Sequence, residues 1–142
     1  MSKGNTFENE LLLLIFNATT IPQIASNTTS SALAVLWTAL HTADPGEAGV
    51  QTTSESTYTS YARTSVARTS VGWTVSGNVA SPTSAITFPA GTGASGTVTH
   101  FSVGSSSSGA GEVYYSGTVT PNIVTGNGIT PSLTTGSSIT ED

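Results

Sequence analysis

The sequence predicts an all-β fold, a single antiparallel β-sandwich of jelly-roll type carrying one short N-terminal helix. Three observations carry that reading. Short segments alternate apolar and polar residues at period two; Gly and Pro clusters punctuate them at near-regular intervals; and about a third of the residues are Ser or Thr, with only 8% charged. The 142 residues fit one domain, 1–142, with a helix and arm over 1–32 and the sandwich over 33–142.

At the N-terminus, Asn5 stands where a cap is needed and Glu8 follows at the capping-box position. Phe7, Leu11, Leu14 and Ala18 recur at helical spacing, which predicts a helix over Thr6–Asn17. Leu12, Leu13, Ile15 and Phe16 make it apolar nearly all round, so it suits burial, either as a cap on its own sandwich or at a subunit interface. The apolar run Leu11–Phe16 cannot cross a bilayer that needs about 20 residues. Glu8 and Glu10 before it are not the basic flank of a signal peptide, so we expect neither a membrane partner nor export. Pro22 and Ser26 to Ser31 read as a connection.

The stretch from Leu33 to Gly49 organises the rest. Leu33, Val35 and Trp37 share one face at period two, and Leu36 and Leu40 the other, as in an inner strand covered on both sides. Asp44, Pro45 and Gly46 stop it with a turn. Residues 42–61 then form a long polar loop without hydrophobic period, a candidate contact element or exposed arm. Further short strands are expected at Ala62–Ser70, Trp73–Gly77, Ile86–Phe88, Thr97–Val103, Val113–Val119, Ile123–Val124, Leu133–Thr134 and near Ile139. Ser105 to Ser108 reads as a solvated, mobile tip.

Several function classes fall away on residue chemistry. There is no cysteine, and Lys3, Arg63 and Arg68 against a net charge of −5 are too few cations for a nucleic-acid partner. His41 and His100 lack metal-ligand spacing, so no metal is expected, and Asp44 with Glu47 is better explained as turn chemistry than as a calcium loop. Gly91 to Gly96 satisfies G-x-G-x-x-G but runs into a strand, so it reads as a hairpin loop and no cofactor is implied. Glu55 and Glu112 read as solvated acids rather than a glycosidase pair. Trp37, Trp73, Tyr114 and Tyr115 suit a core better than a sugar platform. No catalytic constellation emerges, and a non-enzymatic role is expected. A β-protein with a single Lys has few charges to blunt its strand edges, so those edges should be covered by a partner or closed within the fold.

The strings Leu36 to Gly49, Tyr61-Ala62-Arg63 and Gly96 to Phe101 resemble a family of small proteins of tailed bacteriophages and prophages, often labelled tail fibre proteins. The resemblance covers Asn5 to Asp142 and implies a β-sandwich virion component, assembled in the bacterial host cytoplasm. A compact, charge-poor β-domain without internal repeats points, by analogy, to a capsid cement or decoration protein. Such a protein would be a homotrimer bound to the major capsid protein. A tail-fibre or tail-associated protein is the alternative, and a carbohydrate-binding module a third. The expected interface residues are Phe7, Leu11, Leu14 and Ile15 on the helix, with Asp44, Pro45, Gly46, Glu47 and Tyr58 in the loop.

Overall fold

The strand expected to lie innermost does so. β1 (Val35–His41) runs between β2 (Thr64–Ala67) and β6 (Gly96–Gly104) in a four-stranded sheet that β7 (Val113–Thr125) completes, in the order β2-β1-β6-β7. Leu36, Thr38, Ala39, Leu40 and His41 are buried, and Val35 and Trp37 half-buried, so both faces of β1 are covered. Its antiparallel register with β6 runs from Trp37 opposite Gly104 to His41 opposite His100. The computed structural model describes residues 5–21 and 33–141. The connection expected around Pro22 and Ser26 to Ser31 lies outside the described residues.

The remaining strands are β3 (Trp73–Ser76), β4 (Val79–Pro82), β5 (Ile86–Thr87), β8 (Ser132–Leu133) and β9 (Ile139–Thr140). They form a three-stranded sheet, β3-β4-β9, and a two-stranded one, β5-β8, and every pairing with a determined register is antiparallel. The all-β antiparallel sandwich class with a short N-terminal helix is therefore present. Gly91 to Gly96 does lead into a strand, but β5 and β6 belong to different sheets, so the segment is a link and not a hairpin. Sequence periodicity missed β4, because Pro82 looks like punctuation. The β4–β9 ladder covers only Val79 and Ala80, so at Pro82 the strand has to pair on one side alone, as a proline permits.

Backbone contacts divide the chain into two units, each assembled from separated segments. The first comprises Met1–Val35, Val66–Ala85 and Thr134–Asp142. In it α1 (Asn5–Asn17) packs on β3 and β4. Asn5 opens the helix rather than preceding it, a shift of one residue that falls within the ambiguity of helix ends. The buried stripe is Glu8, Leu12 and Phe16, spaced i, i+4, i+8, and Phe16 meets Trp73 with ring centroids 4.6 Å apart. The stripe expected from Phe7, Leu11 and Leu14 is only half-buried, so the helix has one covered face and is not enclosed on all sides. Ala18 lies past the end, where φ of +53° turns the chain and Thr19 N donates to Leu13 O at 3.0 Å.

No basic residue occupies the last turn of α1. Arg68, from the segment between β2 and β3, supplies the missing cation: Nε donates to Ile15 O at 2.5 Å, Nη2 to Leu14 O, and Nη1 to Leu33 O at 3.3 Å. Carbonyls that the helix leaves unpaired thus meet a guanidinium, which also opposes the negative end of the helix dipole.

The second unit comprises Leu36–Ser65 and Ile86–Leu133. The two runs expected at Val113–Val119 and Ile123–Val124 are one strand, β7. Between His100↔Thr118 and Val98↔Ile123, β7 advances five residues while β6 advances two. Pro121 sits in that bulge, where no ladder donor is required of it.

Replacing Phe16 by Ala removes the ring against Trp73 and leaves a cavity; we expect a loss of about 3–5 kcal/mol in denaturant unfolding, with native secondary structure retained at low denaturant.

Candidate functional site

The loop that follows β1 is closed, not an arm. The Asp44 carboxylate accepts from Gly46 N at 2.9 Å, and Gly46 takes φ of +69°, as the turn chemistry requires. The chain then folds back: Gln51 N donates to Gly111 O, Thr42 N to Ser54 O and Ser56 N to Leu40 O, each at 2.8 Å. A loop of this length satisfies its own backbone groups and packs Gln51, Ser56 and Tyr58 inward.

One cation holds the closure. Arg63 is 6% exposed and grips Glu55 with both arms, Nε to Oε1 at 2.7 Å and Nη2 to Oε2 at 2.8 Å. It also donates to Ser106 O at 2.9 Å, Gly109 O at 2.8 Å and Gln51 Oε1 at 3.4 Å. Glu55 is thus no solvated acid, and the Ser105 to Ser108 tip is anchored at its base. Gln51 completes the knot by accepting from Ser106 N at 2.9 Å and donating to Trp37 O at 3.3 Å. The fit leaves no room for side chains at the crossing points: a Cβ on Gly104 would stand 2.5 Å from Gln51, and one on Gly111 only 2.2 Å from its amide oxygen. Tyr61 bridges Glu55 and Leu40 N, at 3.0 Å each, and burial foremost, with the Glu55 charge beside it, pushes its phenol well up, so it stays protonated.

His41 is fully buried. Its Nδ1 lies 2.8 Å from Thr53 O, which can only accept, so Nδ1 carries the proton and Nε2 accepts from the Ser102 hydroxyl at 2.8 Å. This Ser–His pair has the spacing of a nucleophile and its base. Both residues are 0% exposed and no carboxylate orients the ring, so its geometry ties β1 and β6 to the loop without admitting a substrate. Burial holds the imidazole below its ordinary value, outweighing the bond to Thr53 O and the Glu55 charge. His100 faces His41 across the ladder, but both His41 nitrogens are already taken. Among the described residues no group of three His, Asp or Glu could hold a metal.

One surface feature of this unit is an open cleft of about 380 Å³ lined by Asp44, Gly46, Glu47, Val113, Tyr114, Tyr115 and Ser116. The expected interface residues therefore separate. Asp44, Gly46 and Glu47 are exposed and come together there with residues of β7 that sequence reasoning left out of the contact set. Pro45 is buried, and Tyr58 is a core residue whose hydroxyl donates to Pro89 O at 2.7 Å. Burial raises its phenol, and neither side chain offers a contact surface. Phe7, Leu11, Leu14 and Ile15 belong to the other unit, half-buried on α1. Trp73 is buried against Phe16, so of the four aromatics weighed as a sugar platform only Tyr114 and Tyr115 share the cleft.

Residues 4–140 match the model of a family described as podophage GP4 fiber I protein gp80. No curated protein matches the chain.

Two measurements check this geometry. Replacing Arg63 by Met strands the Glu55 carboxylate and should cost about 3–5 kcal/mol, read as a lower denaturant midpoint. The unfolded chain binds a proton at His41 more tightly than the folded chain, so stability rises with pH and its His41 contribution is full only above about 6.5. The melting temperature should therefore fall as pH drops from 7.5 to 5; a flat profile would contradict the burial of a neutral imidazole.

Proposed function

The chain belongs to the podophage GP4 fiber I protein gp80 family, a family of phage fibre-type virion proteins, and on that premise we propose that it is a structural subunit of the tail-fibre apparatus. Its work is mechanical: it makes contacts and turns over no substrate. The observation that supports this beyond family membership is where the charge goes. Both arginines face inward, Arg63 onto Glu55 and backbone carbonyls and Arg68 onto the end of α1, so neither supplies a free surface cation. What remains outside is mostly hydroxyl and backbone with a few acids, Asp44, Glu47 and Glu112 among them, so charge on the described surface is sparse.

The same economy of charge suggested a cement on the capsid lattice with the major capsid protein as partner. The fibre assignment accounts for it equally and agrees with the family description. Separating purified virions into tails and emptied heads tests the choice. The protein should travel with the tail fraction; recovery with the heads alone, at hundreds of copies per particle, would place it on the capsid instead.

A further inference from the structure

Two connections of the second unit are stapled to each other. The turn that follows β7 runs over Gly126, Asn127, Gly128 and Ile129: Ile129 N donates to Gly126 O at 3.1 Å, and Gly128 takes φ of +75°. Gly91, in the link between β5 and β6, exchanges two bonds with that turn. Gly128 N donates to Gly91 O at 2.8 Å, and Gly91 N donates to Ile129 O at 2.9 Å. The approach is close, since a Cβ on Gly91 would stand 2.2 Å from Gly126 O. Gly91 and Gly126 are buried, whereas Asn127 and Gly128 are exposed. Asn127-Gly128 is also the only Asn-Gly pair in the chain.

An Asn followed by Gly carries a reaction of its own, because the next residue has no side chain to obstruct ring closure by its backbone nitrogen. We propose that Asn127 is a modification site of this kind, a latent deamidation centre that the strap to Gly91 keeps shut in the folded chain. When a solvent base takes the Gly128 N–H proton, the nitrogen bonds to Asn127 Cγ, the Cγ–Nδ2 bond breaks, and Nδ2 leaves as ammonia. Water then opens the cyclic imide at either carbonyl. The product is aspartate, or isoaspartate with the main chain rerouted through the former side chain. Amide and water become carboxylate and ammonium, with no oxidant or cofactor required.

The strap opposes the first step twice. The proton that must be lost is held by the carbonyl of buried Gly91, an acceptor too weak to remove it. The imide nitrogen, in turn, carries no proton, so the intermediate gives up the bond to Gly91 O and leaves that acceptor unmatched. The reaction therefore runs through an opened turn, at a rate scaled by how often the strap parts. Conversion adds a carboxylate to a surface sparse in charge, and isoaspartate lengthens the main chain ahead of Gly128, so the two bonds to Gly91 lose their register.

The whole chain, folded in buffer or unfolded in denaturant, is incubated at mildly alkaline pH; peptide mapping by mass reads conversion at Asn127, and an isoaspartate-specific methyltransferase identifies the product. The folded chain should convert at least about tenfold more slowly than the unfolded one. Exposed Asn122, which Ile123 follows, is the internal control and should lag far behind Asn127 in the unfolded chain. Gly91→Ala drives a Cβ onto Gly126 O and should bring the folded rate toward the unfolded one. Because that variant can misfold, hydrogen exchange at Gly128 N–H is read on the wild-type chain as well, and its protection should match the slowing of conversion. Equal rates in the folded and unfolded chains, an unprotected Gly128 amide, or a folded Gly91→Ala chain no faster than wild type would overturn the strap. No conversion at Asn127 in the unfolded chain, or conversion at Asn122 as fast, would overturn the site. Every reading is taken on the isolated chain, so the fibre location can fail without touching it.

Discussion

The closure around β1 depends on one guanidinium. Arg63 gathers a carboxylate, two loop carbonyls and a glutamine side chain at one point, and those acceptors come from segments otherwise joined by little more than single backbone bonds. A charge taken that far out of water is tolerable only when nearly all its donors are met and a carboxylate balances it, and both conditions hold. The consequence is structural: a long polar loop with no hydrophobic period of its own becomes a lid over the inner strand. Tyr61 and His41 extend the same logic inward, each using polar atoms to bind loop to strand where a shorter loop would rely on packing.

Charge is sparse, and both arginines are spent inside. Arg68 repeats on the helix what Arg63 does on the loop, with backbone carbonyls as the main acceptors in both cases. A surface relieved of its arginines is left to Ser, Thr and main chain with a few acids, Asp44, Glu47 and Glu112 among them. For a protein that must stay apart from its neighbours this would be a defect. For one of a fibre-type virion family it is a suitable surface, since neutral hydroxyl faces lose little on being covered.

β7 ends its sheet without Asp, Glu, Lys or Arg, and its ladder with β6 is interrupted at both ends, near Pro121 and between Val113 and Tyr115. In the cleft beside it, the exposed carboxylates of Asp44 and Glu47 stand next to Tyr114 and Tyr115.

What the sequence determined by itself is local. Period-two alternation marked β1, β6 and β7, helical spacing marked α1, and the Asp44-Pro45-Gly46 turn was legible because its chemistry lies within three residues. The tertiary structure alone decided the rest. Which stripe of α1 is buried depends on where β3 and β4 lie, and a helix apolar nearly all round carries no signal for choosing Glu8, Leu12 and Phe16 over Phe7, Leu11 and Leu14. The partners of Arg63 lie as far as 46 residues along the chain, so Glu55 looked solvated and the serine tip free until folding brought them together. Strand order, and with it the place of β7 at the end of its sheet, is likewise absent from any periodicity, because pairing is a property of two segments and a pattern belongs to one.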